Sequence, residues 1–141
     1  MATPTRLDMI ANPTRFMAWS APLMWALAVL AAGLLTVAMY QAFFVAPVDY
    51  QQGATVRIMY LHVPAAWMSM MIYGMMAIMG FIALVWRIRI MEVLLIASAP
   101  VGAAFTMMAL VTGSLWGRPM WGTYWVWDAR LTSELVLLFL Y

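Results

Sequence analysis

Three long stretches of this sequence carry no charged side chain: residues 22–46, 58–86 and 93–117. A helix crossing a bilayer needs about 20 apolar residues, so each stretch is long enough to be a transmembrane span. Backbone polar groups in lipid must be satisfied within the segment, which selects helices over irregular chain. Composition points the same way. Hydrophobic residues make up 67% and charged residues 9%, against about 25% charged in a soluble domain. Most of the molecular surface must therefore meet lipid.

The reading that follows is an all-α integral membrane protein, a polytopic helical bundle forming one membrane domain over residues 1–141. It has three full transmembrane helices and the start of a fourth. The expected spans are residues 22–46, 64–86, 93–115 and, incomplete, 131–141. The first apolar run is too long for a secretory signal, whose core is about 7–15 residues, and is read as an uncleaved span. In the second run Pro64 suits the first turn of a helix, which would leave His62 just ahead of a rigid helix start. Pro100 lies inside the third run, where neighbouring helices can re-satisfy the freed carbonyl. The last 11 residues would reach about 16 Å as a helix, short of a core about 30 Å thick. The sequence therefore reads as the front part of a larger protein, cut inside a fourth span.

Orientation is set by basic residues flanking the spans. The N-terminal segment and the second connection hold Arg6, Arg15, Arg87 and Arg89, whereas the first connection and the Trp-rich segment hold Arg57, Arg118 and Arg130. Four against three favours a cytoplasmic N-terminus. Whatever the absolute direction, two spans separate His62 from residues 116–130, so both lie at the same membrane surface.

Several chemistries are excluded. The chain has no cysteine, hence no disulfide, thiolate metal site or Cys nucleophile. A net charge of +2 gives no case for nucleic acid, and lipid is the expected surrounding. No phosphate-binding loop, catalytic triad or carboxylate pair is visible, so an enzyme is not expected.

What remains is one histidine and a cluster of indoles. His62 is the only histidine. Neutral imidazole is a common axial ligand for haem iron, but an interfacial histidine can equally be bonded to water or headgroups. Trp116, Trp121, Trp125 and Trp127 fall within residues 116–127. Tryptophan anchors helices at membrane interfaces; four so close together would also build a flat apolar platform with N–H donors at its edges. A porphyrin, a quinone or a carbohydrate would suit such a platform, and Arg118 or Arg130 could meet a carboxylate. Asp128 could cap a helix beginning near Ala129, fix Arg130, or orient an indole N–H. Arg130 and Glu134, four apart, could pair on one helix face. The 16 methionines are read as adaptable packing rather than as thioether ligands for copper.

The stretch Trp121-Gly-Thr-Tyr-Trp125-Val-Trp127-Asp128-Ala-Arg130-Leu-Thr resembles the tryptophan-rich "WWD" motif of haem-handling membrane proteins. The segments Val48-Asp-Tyr-Gln-Gln-Gly53, Arg57-Ile-Met-Tyr-Leu-His62-Val-Pro-Ala-Ala-Trp67 and Val111-Thr-Gly-Ser-Leu-Trp-Gly-Arg-Pro-Met-Trp-Gly narrow the resemblance to the cytochrome c maturation protein C (haem exporter protein C) family. The resemblance implies about six helices and both termini in the cytoplasm. It implies haem b held at the periplasmic face of the inner membrane between two axial histidines, the first matching His62 and the second lying beyond this chain. It further implies delivery of haem to a periplasmic haem chaperone, without enzymatic activity beyond assistance in covalent attachment, and partnership with a small single-span accessory protein and ABC-type exporter subunits. Ring contacts would come from Trp121, Trp125 and Trp127, orientation from Asp128 and a polar rim from Arg118 and Arg130. The alternative is a structural subunit of a haem-related ABC transporter complex, whose Trp-rich loop docks a partner protein.

Overall fold

The computed structural model describes residues 12–141; Arg6, counted above for orientation, lies outside them. The described chain is helical almost throughout. Helix α1 (Pro13–Tyr40) starts where Asn12 turns extended and its side chain accepts from the Thr14 and Arg15 amides at 3.0 and 3.4 Å. Pro13 occupies the first turn, where a missing N–H costs nothing. The helix thus begins nine residues earlier than the apolar run suggests, because the Asn12 cap and not the hydrophobicity sets its start. It ends in a π-helical turn, Gln41–Val45, closed by the Ala46 amide on the Gln41 carbonyl at 2.8 Å.

A tight turn follows. The Asp49 carboxylate accepts from the Gln51 and Gln52 amides, both at 2.8 Å, and Asp49 and Gly53 exchange backbone hydrogen bonds. Gly53 sits at φ +58°, a conformation that glycine adopts without a Cβ penalty. With the chain reversed there, helix α2 (Val56–Trp86) begins well before Pro64. The expectation that Pro64 opens this helix, with His62 ahead of it, is corrected: Pro64 lies inside the helix and His62 is in its second turn. The Arg57 and Ile58 amides bond the Ala54 and Thr55 carbonyls at 3.2 and 3.0 Å as the turn ends, so the helix does not wait for the proline.

Arg87, left-handed at φ 53°, and Ile88 alone connect α2 to helix α3 (Arg89–Trp121). So short a connection makes α2 and α3 an antiparallel pair, and this is the principal interface of the molecule. Many of the buried residues of the pair are small: Ala65, Ser69 and Ala83 on α2, and Thr106, Ala109 and Gly113 on α3, with Gly113 against the His62 ring. Lipid offers no hydrophobic drive for helix association, so close approach of backbones at small residues does the work. A Cβ at Gly80 would already meet Leu95 at 3.1 Å. After a loop, the short helix α4 (Ala129–Leu140) packs on α3 through buried Leu131.

Large apolar side chains point outward: Leu84 and Phe139 are each 80% exposed. Helices α1 with its π turn, α2 and α3 are each long and apolar enough to cross a membrane. The fold is that of a helical membrane protein, with three such helices and a shorter fourth among the described residues.

Candidate functional site

The antiparallel pairing brings the start of α2 to the end of α3. Gln52, in the turn before α2, accepts from the indole N–H of Trp116 on α3 at 2.9 Å. At this end α2, α3 and the start of α4 enclose a cleft of about 450 Å³, lined by His62, Met59 and Met70 from α2, by Ala109, Gly113, Trp116 and Trp121 from α3, and by Arg130 and Glu134 from α4. Small-molecule sites commonly run from about 300 to 1,000 Å³ and are mostly apolar with a few polar groups.

His62 is held on one side only. Its Nδ1 lies 3.0 Å from the Ala109 carbonyl and 3.1 Å from Thr112 Oγ1. A carbonyl can only accept, so Nδ1 carries the proton and the imidazole is the tautomer whose Nε2 has a free lone pair. Neither contact uses Nε2. The ring lies against Gly113, where a Cβ would come within 2.9 Å of Cε1. Thr112 in turn donates to the Met108 carbonyl at 2.7 Å, leaving its oxygen lone pairs for His62. An imidazole whose distal N–H is fixed by a backbone carbonyl is the usual setting of a metal-ligating histidine. Among the described residues no three His, Cys, Asp or Glu side chains converge as a metal site.

The Trp-rich segment divides in two. Trp116 and Trp121 are on α3 itself, which ends at Gly122 in the left-handed conformation, φ 78°; only residues 122–128 are loop. Trp116 and Trp121 meet edge to face at 5.2 Å and 87°, and Trp125 and Trp127 likewise at 5.4 Å and 76°. The expected flat platform is thus replaced by two perpendicular indole pairs, the geometry that the ring quadrupoles favour. Trp121 walls the cleft, whereas Trp127 is 76% exposed. The Trp125 N–H is buried without a partner among the described residues. A buried donor left unpaired costs about 1–3 kcal/mol.

The charged rim is locally braced. Asp128 caps α4, accepting from the Leu131 amide at 2.9 Å, and binds Arg130 through both Nε and Nη2, at 2.9 and 2.7 Å. The Leu131 amide foremost, and then Arg130, hold its carboxyl below the ordinary carboxylate range. Arg130 also lies 5.2 Å over the Trp121 ring. It does not pair with Glu134; that carboxylate is bonded instead to Ser69 Oγ at 2.7 Å. Arg118 donates to the Gly122 carbonyl and lies 5.6 Å over Tyr124, closing the helix end rather than facing the cleft.

Of the residues singled out from the sequence, His62, Trp121 and Arg130 share the cleft; Trp125, Trp127 and Asp128 lie in the adjoining loop, and Arg118 closes the end of α3. Thr112 and Gly113 were not among them, while Trp116 was read as one of the clustered indoles and Glu134 only as a partner for Arg130. The signal for Gly113 and Trp116 was present, since residues 109, 113 and 116 recur at helical spacing on the face opposed to His62.

The fold and the cleft define a helical membrane protein that carries an oriented imidazole in an indole-walled cleft at one end of its helices. Comparison with known proteins specifies it. The family model for heme exporter protein C matches residues 6–141. The chain is 57% identical over 132 residues to heme exporter protein C of Bradyrhizobium diazoefficiens, covering 94% of this chain and 50% of that protein. It is 55% identical over its full 141 residues to heme exporter protein C of Escherichia coli, covering 54% of that protein. A ccmC-like mitochondrial protein of cytochrome c biosynthesis from Marchantia polymorpha is 52% identical over 108 residues, 77% of this chain and 47% of that protein. The chain belongs to the heme exporter protein C family, a family of multi-pass inner-membrane proteins. It spans about half the length of the curated relatives it matches.

Proposed function

We propose that this chain holds haem b at the outer surface of the inner membrane during cytochrome c biogenesis and presents it to a periplasmic haem chaperone. Haem is the cargo, and the protein is a delivery platform without catalytic groups of its own. The observation that carries the reading is the fixed imidazole: His62 gives its Nδ1 proton to Ala109 and keeps Nε2 for iron, inside a cleft walled by Trp116 and Trp121. A second axial histidine would come from beyond this chain. The indoles contact the porphyrin faces and edges, and Arg130 and the unpartnered Trp125 N–H meet propionate oxygens. Exposed Trp127, with Tyr124 and Val126 also exposed in the same loop, would be the surface offered to the chaperone. An N-terminus in the cytoplasm puts all of these on the periplasmic side. The single-span accessory protein and the ABC-type exporter subunits would act by weakening one of these contacts relative to the acceptor's, which is what release requires.

The test is the visible spectrum and haem content of the purified protein, loaded with haem, beside His62→Ala. Loss or displacement of the Soret band in the variant places iron on His62. Identical spectra would remove His62 as a ligand and leave the Trp-rich loop as a docking surface of a transporter subunit.

A further inference from the structure

We infer that Ser69 is a positioning residue of the cleft, a latch on α2 that holds α4 in place as the third wall; the inference rests on the haem reading above. Ser69 is fully buried and is not part of the cleft wall. It follows His62 by about two helical turns and so lies on the same face of α2. Its hydroxyl donates to Glu134 Oε1 at 2.7 Å, and its backbone carbonyl accepts from the Tyr141 hydroxyl. Glu134 is in α4 and Tyr141 directly follows that helix. These two are again about two turns apart, so one residue of α2 grips one face of α4 at two levels.

The lower grip has a seat of its own. The Tyr141 ring rests on Gly102 of α3, where a Cβ would overlap it, and meets Tyr73 of α2 edge to face at 5.6 Å and 80°. Apolar anchorage of α4 is slight among the described residues: Leu131 is buried, whereas Val136, Phe139 and Leu140 are exposed. Helices associate in lipid through close packing and interhelical hydrogen bonds. The bonds from Ser69 and Tyr141 therefore weigh heavily in where α4 sits.

The seat matters to the cleft because α4 carries part of its wall. Arg130, Leu131 and Glu134 line the cleft together with His62, and Arg130 lies 5.2 Å over the Trp121 ring. A short helix moves as one body, so slack at Ser69 is felt at Arg130 and Trp121. The gap between α2 and α4 at the level of His62 is thus set further along both helices, by Ser69 and Tyr141, which lie outside the cleft wall. A loosened wall lets haem leave faster without changing the ligand on its iron.

The chain has no cysteine, so a pair of spin labels can be attached at chosen sites. Met71→Cys on α2 and Phe139→Cys on α4, both at exposed positions, carry the labels, and pulsed electron paramagnetic resonance reads their distance. The same detergent-purified protein is loaded with ferric haem and its haem dissociation rate is measured. The parent is compared with Ser69→Ala, Tyr141→Phe, the double variant and His62→Ala. Tyr141→Phe removes one oxygen and keeps the ring on Gly102, so it carries the test even where Ser69→Ala disturbs folding. The parent should give one narrow distance. Each single variant should broaden it and quicken haem loss a few-fold, and the double variant about tenfold. The Soret band should stay in place, because His62 still binds the iron. A distance or a dissociation rate that Ser69→Ala and Tyr141→Phe both leave unchanged overturns the inference while the haem reading stands. Haem retention that ignores His62→Ala overturns the haem reading, and this inference with it.

Discussion

The inner wall of the cleft and its loop rim are made in opposite ways. On the wall, His62, Thr112 and Gly113 sit on two packed helices, and the contacts that hold the imidazole cross between elements distant in the chain. On the rim, residues 122–128 hold themselves by neighbours: Asp128 with Arg130 and the Leu131 amide, Thr123 with Trp125, Arg118 with Gly122. A ligand to iron must be fixed to within a fraction of an ångström, which rigid helices provide. A surface that has to deliver its cargo to another protein benefits from exposed, locally braced aromatic groups. On the proposed function, this division assigns binding and transfer to different structural layers.

Substitutions can break that division. The largest effect is expected for His62→Ala, with haem content and the Soret band falling by an order of magnitude or more. Gly113→Ala should come next. Its Cβ would meet the imidazole at 2.9 Å, so haem affinity should drop about tenfold. Thermal stability should change little, since alanine gains about 1 kcal/mol of helix propensity over glycine against an overpacking cost of about 1–3 kcal/mol. A full unfolding of G113A would show that Gly113 serves packing alone. Thr112→Val should weaken haem binding a few-fold and shift the iron–imidazole vibration, while Thr112→Ser restores both; equal spectra in all three would mean that Ala109 suffices to orient the ring. On the rim, Trp127→Ala should leave the bound spectrum within error and slow transfer to the acceptor. A changed spectrum would move Trp127 from the surface into the binding layer.

The smallest effect concerns acid. Asp128 has a lowered folded-state pKa, so its capping contribution is present above the unfolded value and lost as pH falls through the folded one. Helicity of α4 should therefore be flat from pH 5 to pH 8 and decline only below about pH 4, and Asp128→Asn should remove that decline. Circular dichroism against pH checks it; a transition near neutrality would assign the rim to another group.

Much of this was legible in the sequence. Three charge-free runs separated by short connections suffice for three long helices, and the count of spans puts His62 beside the indoles. Asp128 as a cap was readable from its place before Ala129. The helix starts were not, because they are set by local hydrogen bonds: Asn12 moves α1 back to Pro13, and the Asp49–Gly53 turn moves α2 back to Val56, carrying His62 into the helix. The perpendicular indole pairs, and Glu134 turning from Arg130 to Ser69, were equally invisible, since both follow from the third dimension. Helical spacing placed Arg130 and Glu134 within reach; the shorter link from Arg130 to Asp128, two residues away, won.

The central claim is that His62 keeps its proton on Nδ1 and offers Nε2 to iron. Because the sequence contains a single histidine, nitrogen-15 NMR of histidine-labelled protein reads that tautomer without assignment. The account predicts a protonated Nδ1 and a bare Nε2 in the empty protein, with the Nε2 signal alone shifting strongly when zinc protoporphyrin is added. A protonated Nε2, or a shift confined to Nδ1, would contradict it.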